Sequence, residues 1–320
     1  MKVIAETASN HMGELPYLKE LSLESNNAGA DLVTVQVLDL DAFVTPYDTL
    51  SYPNFVKVAF SQTEWIDYFE WCKTKSIKVL PCILDYPSAK MCLKQGFSSV
   101  KVHASDIVNI DFLKYINTHF DKVFLEFGGA NLKEISTALS VLKSTEVVLL
   151  YGFNAYPTKI ENQNLNFLKT LNYLFSCETG FCDHSINNEF IPLLAMAKGA
   201  SYLEKHVTLD MDDENRFDWQ VSVEPSQLKK MVDQINEYLP SFGDPFREVS
   251  DSEKHFRKLV YKKVIAKRKI NKGEILKIED VTFKRSIEGI ESSLIEELIG
   301  LEMKTTIEKN GIINRKDLLK

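Results

Sequence analysis

The chain has 320 residues, 44% of them hydrophobic and 26% charged, with a formal net charge of −7. That balance belongs to a folded globular chain with a large core, and it excludes a nucleic-acid partner, since no basic stripe precedes the run Lys254 to Lys272, itself read as a solvated face. Five cysteines without a Cys-x-x-Cys pair, no leader-like start and no apolar run near the roughly 20 residues that cross a bilayer predict a reduced, cytoplasmic protein without membrane contact.

Over residues 1–240, short apolar runs alternate with longer amphipathic segments, the pattern of βα units around a parallel sheet. Eight strands are predicted, at residues 3–7, 32–37, 78–84, 99–104, 122–127, 147–152, 180–184 and 202–208. Several are apolar throughout, as when both faces are covered, and the count of eight favours a closed (β/α)8 barrel over an open sheet. Between them, Ser61 with Glu64 and Asn131 with Glu134 mark helix starts. Trp65, Ile66, Phe69 and Cys72 recur at helical spacing and should face the barrel wall. A helix at 226–239 closes the series. The stretch 241–259, opening with prolines and a glycine, reads as a linker. Residues 260–320 read as a small domain with tight turns at Asn271-Lys272-Gly273 and Asn310-Gly311.

In such a barrel the chemistry sits at the C-terminal ends of the strands, and here those ends are polar. The first presents Glu6 and then Asn10-His11, the second Gln36, the third Asp85, and the fourth Lys101 and His103. The sixth leads into Asn154 and Tyr156, the seventh ends Cys182-Asp183-His184, and the eighth reads Glu204-Lys205-His206. Neighbouring strands lie about 4.8 Å apart, so His184 and His206 are placed to share one divalent ion, with Glu204 on the strand parity of His206. Two imidazoles completed by water and substrate oxygens suit Mn2+ or Mg2+ better than zinc. The competing reading gives each histidine a hydrogen bond in the barrel wall.

Ile4-Ala5-Glu6, Asn10-His11, Ala28-Gly29-Ala30-Asp31, Tyr156-Pro157-Thr158, Asp183-His184, Glu204-Lys205-His206 and Glu224-Pro225 follow, in order and spacing, the pattern of the N-acetylneuraminate (sialic acid) synthase family, which the chain resembles over nearly its whole length. Ile270-Asn271-Lys272-Gly273-Glu274 with Lys284-Arg285 is similar to that family's C-terminal antifreeze-like (SAF) domain. The resemblance implies a TIM barrel followed by a small SAF domain. It also implies a condensation of phosphoenolpyruvate with an N-acetylmannosamine-type aldose, giving a nine-carbon 2-keto acid and phosphate. On that basis His184 and His206 hold the metal, and Glu6, Lys101 and Tyr156 act at the reacting atoms. Gln36, Asn154, Cys182 and Asp218 meet the substrates, and Arg285 reaches the acceptor's N-acetyl group in a domain-swapped homodimer.

The match fails on the side expected to hold the donor's phosphate. The family's Lys-Phe-Gln is Thr34-Val35-Gln36, its Ser-Thr-Pro-Phe-Asp is Pro81-Cys82-Ile83-Leu84-Asp85, and its Ser-Thr-Gly-Met is Glu126-Phe127-Gly128-Gly129. Cys182 stands where a serine is expected; near the acceptor side, Arg216-Phe217-Asp218-Trp219 replaces Gly-Pro-Asp-His, so the sugar pocket is altered as well. Each lost charge-assisted hydrogen bond is worth roughly 1.5–3 kcal/mol, although His103 and Arg216 are candidate replacement cations. Two alternatives stay open beside the synthase: an aldol-type enzyme of the same fold using another donor, and a sugar-binding protein without catalysis.

Overall fold

The computed structural model describes residues 1–152, 155–186 and 188–319, and the chain divides into two compact units, Met1–Phe242 and Gly243–Lys320. In the first unit eight parallel strands close a barrel in sequence order: Lys2–Glu6 (β1), Leu32–Val37 (β2), Val79–Ile83 (β3), Ser99–Val102 (β4), Lys122–Glu126 (β5), Glu146–Tyr151 (β6), Glu178–Asp183 (β7) and Tyr202–His206 (β8). Closure is made by β1 on β8, with Lys2 opposite Tyr202 and Glu6 opposite His206. All eight predicted strands are present, with ends shifted by a residue or two. β7 starts earlier than expected, at Glu178, an acidic residue of low strand preference.

Side-chain alternation along the strands makes two separate apolar faces. Val3, Ala5, Val33, Val35, Val100, Val102, Val123, Leu125, Leu149 and Leu203 join the helices in one cluster. Ile4, Leu80, Phe124, Val148, Leu150, Cys182 and Tyr202 form another, which fills the barrel and makes it a packed core with no pore. Two residues further along, the inward positions turn polar: Ile4 is followed by Glu6, Ser99 by Lys101, Phe124 by Glu126, and Tyr202 by Glu204. The apolar plug therefore forms the floor of a polar mouth.

The helix Gln62–Thr74 has the expected capping box between Ser61 and Glu64. It buries Trp65, Tyr68, Phe69 and Cys72, with Ile66 partly buried against the same core, and the Tyr68 hydroxyl meets Ser22 at 2.8 Å. The box at Asn131 and Glu134 is also formed. Two short helices, Leu40–Phe43 and Tyr52–Val58, lie in the β2–β3 connection, where the sequence pattern gave no element.

The second unit has its own small core of Val264, Ala266, Ile270, Leu276, Val281, Leu298, Met303, Ile313 and Leu318. Lys262–Ala266 (β9) pairs antiparallel with Val281–Arg285 (β10). The turn at Asn271 is closed by Glu274 and opened to left-handed backbone at Gly273 (φ 89°). The stretch expected to be a linker contains a helix, Asp251–Val260, started by a Ser250–Glu253 capping box that lies beyond its last proline. Among the described residues no helix is long and apolar enough to cross a membrane.

Candidate functional site

The polar mouth is organised around one ammonium. Lys101 Nζ donates to Glu6 Oε2 at 2.9 Å and to both oxygens of Glu204 at 2.7 and 2.8 Å, while Glu126 Oε2 lies 3.4 Å away. An ammonium has three N–H donors, so these three hydrogen bonds engage all of them. All four side chains are buried, an arrangement that costs heavily in desolvation unless the charges satisfy one another. Burial alone would lower the Lys101 ammonium, but Glu204, Glu6 and Glu126 hold it well above its ordinary value. Burial, with Glu6 and Glu126 nearby, pushes the Glu204 carboxyl up to about 7 against the pull of Lys101. Burial also pushes at Glu126, but Lys101, His103 and His184 outweigh it and hold that carboxyl below the usual range. Glu6 is fixed from its other oxygen by the Ala8 N–H at 2.7 Å.

Beside this cluster stand the two histidines. His184 follows the last residue of β7 and His206 is the last of β8, with ring centroids 5.3 Å apart. Tyr156 packs on both, 4.4 Å from the His184 ring and 5.6 Å from the His206 ring, with its hydroxyl 3.3 Å from His184 Nε2. His206 Nδ1 is buried without a hydrogen-bond partner among the described residues, and Asp218 Oδ2 lies 3.7 Å from it. Burial and the neighbouring His184 keep His206 well below its ordinary value, so its ring is neutral. Burial and Glu6 push the Asp218 carboxyl up to about 6.

Several backbone devices set this geometry. Lys205, facing outward between the histidine strands, donates to the carbonyls of Asp183 and Ser185 at 3.2 and 2.7 Å, one on each side of His184. Thr158 N–H donates to the His184 carbonyl at 2.8 Å. A Cβ on Gly152 would lie 2.7 Å from Cys182 Cβ and 3.4 Å from His184 Cε1, so only glycine lets the end of β6 approach the histidine strand this closely. Asn10 ties down the loop after β8, accepting from Asp218 N–H at 2.9 Å and donating to Val207 O and Ser222 Oγ.

The structure thus brings Glu6, Lys101, Tyr156, His184, His206 and Asp218 together. Gln36 lies half-buried at the end of β2 on the inward parity of Thr34, opposite Cys82. Cys182 is in the apolar plug below His184, its thiol pushed well up by burial and so neutral. Asn154 lies outside the described residues, and Arg285 is exposed at the end of β10 in the second unit. Lys101 departs from its expected role in one respect: its hydrogens are taken by carboxylates rather than left for an anionic donor. The candidate replacement cations are likewise engaged. His103 Nδ1 pairs with Ser105, and Arg216 is held by Asp213, Glu14 and the Asn10 carbonyl over the face of Tyr17. Glu204 as a partner of Lys101 was not anticipated. Its strand parity pointed to the mouth, but nothing in the spacing identified the cation it would meet.

Two imidazoles, that of His206 neutral and with an unsatisfied buried nitrogen, are the donor set a divalent ion takes, and the site fits such an ion on that observation. Among the described residues no group of three or more His, Cys, Asp or Glu is placed to hold a metal, so the remaining coordination positions would fall to oxygen ligands from water or substrate.

The chain matches known proteins over nearly its whole length. The model of the NeuB family matches residues 23–246 and that of the SAF domain residues 262–319. An N,N'-diacetyllegionaminic acid synthase of Campylobacter jejuni is 31% identical, over 93% of this chain and 94% of that protein. The crystal structure of an N-acetylneuraminic acid (sialic acid) synthetase from Leptospira borgpetersenii, in complex with citrate, superposes with a TM-score of 0.73 at 28% identity, covering 80% of this chain and 90% of that one. A spore coat polysaccharide biosynthesis protein E from Chromobacterium violaceum shares the fold over 99% of both chains, with a TM-score of 0.89 at 21% identity.

Proposed function

This chain belongs to the NeuB family, and from that premise we propose that it is a nonulosonic acid synthase, an enzyme that forms a carbon–carbon bond between phosphoenolpyruvate and an aldose of the N-acetylmannosamine type. C3 of the donor bonds to the aldehyde carbon, water adds at C2, and phosphate leaves, so that donor, aldose and water yield a nine-carbon 2-keto acid and inorganic phosphate. The observation that supports this reading most directly is the His184–His206 pair, with His206 neutral, set against the Glu6–Lys101–Glu204 cluster at the barrel mouth. Names borne by the relatives, synthases of legionaminic and N-acetylneuraminic acids, support the product class.

A divalent ion, Mn2+ or Mg2+, held by His184 and His206 would supply Lewis-acid polarisation of the acceptor's aldehyde oxygen. The protein's own groups supply the rest. Glu204, lifted toward neutrality, is suited to exchanging a proton at working pH. Glu6, anchored by Lys101 and the Ala8 N–H, is a fixed carboxylate that can orient the attacking water. Asp218 is positioned to accept from acceptor hydroxyls, and Tyr156 covers both imidazoles and narrows access of bulk water. The working form is read as a domain-swapped, cytoplasmic homodimer, a state that sedimentation measures.

The test is phosphate release on mixing the full chain with phosphoenolpyruvate, Mn2+ and a panel of 2-acetamido aldoses. Release dependent on one aldose, and absent in His184→Ala and His206→Ala, is expected. Product formed without phosphate would remove phosphoenolpyruvate as donor, and metal and sugar binding without any product would remove the catalytic reading.

A further inference from the structure

Several departures from the family pattern fall at positions where the resemblance expects the donor's phosphate to be held, and Glu126 is the one among Thr34, Cys82, Glu126 and Cys182 that adds a charge. Thr34 cannot stand in for the missing lysine, because it is fully buried and its hydroxyl donates to Leu80 O at 2.6 Å. Glu126 is 4% exposed and ends β5 on the inward parity of Phe124. It meets Lys101 at 3.4 Å as a charge, since the lysine's hydrogens already go to Glu6 and Glu204. Three buried carboxylates therefore face one ammonium, Arg216 is occupied elsewhere, and one ring nitrogen of His103 is taken by Ser105.

We propose that Glu126 is a specificity-determining residue that weakens the hold of the mouth on a fully ionised phosphate group while leaving a monoanionic carboxylate little affected. Repulsion between fixed charges scales with the ligand's charge and is strong where water is excluded, so Glu126 repels a phosphate dianion or trianion more than it repels a monoanion. No hydrogen bond from Lys101 is left to offset it. The inference rests on the donor reading given above and deepens it: the donor's phosphate is the weakly held end, and inorganic phosphate leaves readily once formed.

Calorimetric titration of the full chain with inorganic phosphate and, separately, with pyruvate reads this directly. Glu126→Gln and Glu126→Ser are expected to tighten phosphate binding at least tenfold and to leave pyruvate binding within threefold, while Glu126→Asp, which keeps the charge, stays at the parent affinity. Tryptophan fluorescence confirms that each variant is folded. Phosphate affinity unchanged or weakened in both neutral variants overturns the proposal, as does an equal gain for pyruvate. The measurement is independent of turnover. A chain that releases phosphate in the synthase assay yet shows no gain on neutralising Glu126 refutes this inference alone, whereas a gain in phosphate affinity with no turnover on any aldose leaves it standing and refutes the synthase.

Discussion

Lys101→Met removes the ammonium and keeps the volume, leaving Glu6, Glu204 and Glu126 facing one another in a buried space. Breaking one buried ion pair costs about 3–5 kcal/mol because a charge is left uncompensated. Here one ammonium serves three carboxylates at 2.7–3.4 Å, so the cost at neutral pH should reach the upper end of that range, about 5 kcal/mol. Protonation of the orphaned carboxyls sets the ceiling. Without Lys101 their folded values rise above the ordinary value near 4.3, the folded chain binds more protons than the unfolded one, and stability is then lost as pH rises through the raised values. The variant should consequently be penalised less at pH 5 than at pH 8. Urea unfolding followed by tryptophan fluorescence reads this in the barrel alone, since Trp65, Trp71 and Trp219 all lie in the first unit. A loss below about 1 kcal/mol, or a loss equal at the two pH values, would refute the idea that Lys101 is the counter-ion of the cluster. Lys101→Met combined with Glu204→Gln should recover part of the loss, because it removes one of the charges left behind.

His11 gives a second pH effect, separate from the cluster. It is buried against Phe60, and burial, with Arg216 nearby, lowers it from 6.5 to about 4. The unfolded chain takes up a proton near 6.5 that the folded chain refuses until about 4, so stability is level above that interval and falls by on the order of 3 kcal/mol through it; unfolding titrations of His11→Gln should lack this slope, and an unchanged slope would assign it elsewhere. Gly152→Ala should cost about 1–3 kcal/mol by overpacking against Cys182. Because the same Cβ crowds His184, this variant should also weaken Mn2+ binding measured by electron paramagnetic resonance, and destabilisation with unaltered Mn2+ affinity would show that the glycine serves packing only.

The barrel was legible because its evidence is repeated along the chain. Runs such as residues 147–151 of β6 are apolar on both faces, and Ser61 and Asn131 announce the helices between them with their own capping residues. Boundaries failed where pattern is silent: Glu178 carries no strand preference, yet it is drawn into β7 by pairing with Val148. The helix Asp251–Val260 was hidden by the prolines before it, although Ser250 and Glu253 stood at the right spacing to start it.

The site was legible only so far as strand parity reaches. Parity puts Glu6, Lys101, Glu126, Glu204 and His206 inside the barrel, but contact across it depends on the stagger of strands far apart in sequence, such as β4 and β8, which no local pattern encodes. Glu126 shows the consequence. Read along the chain, it was a misplaced negative charge beside a phosphate cradle; across the barrel it is a third carboxylate on a lysine whose hydrogens are already engaged. The missing family lysine at Thr34 and the added Glu126 then act in the same direction. Each lowers the positive potential on one side of the mouth, while the imidazole pair on the other keeps the neutral, unsatisfied nitrogen that a cation requires. A chain losing its chemistry by drift would be expected to lose both sides. Loss on the phosphate side, with Glu6 and both histidines kept, is what a changed grip on the donor predicts.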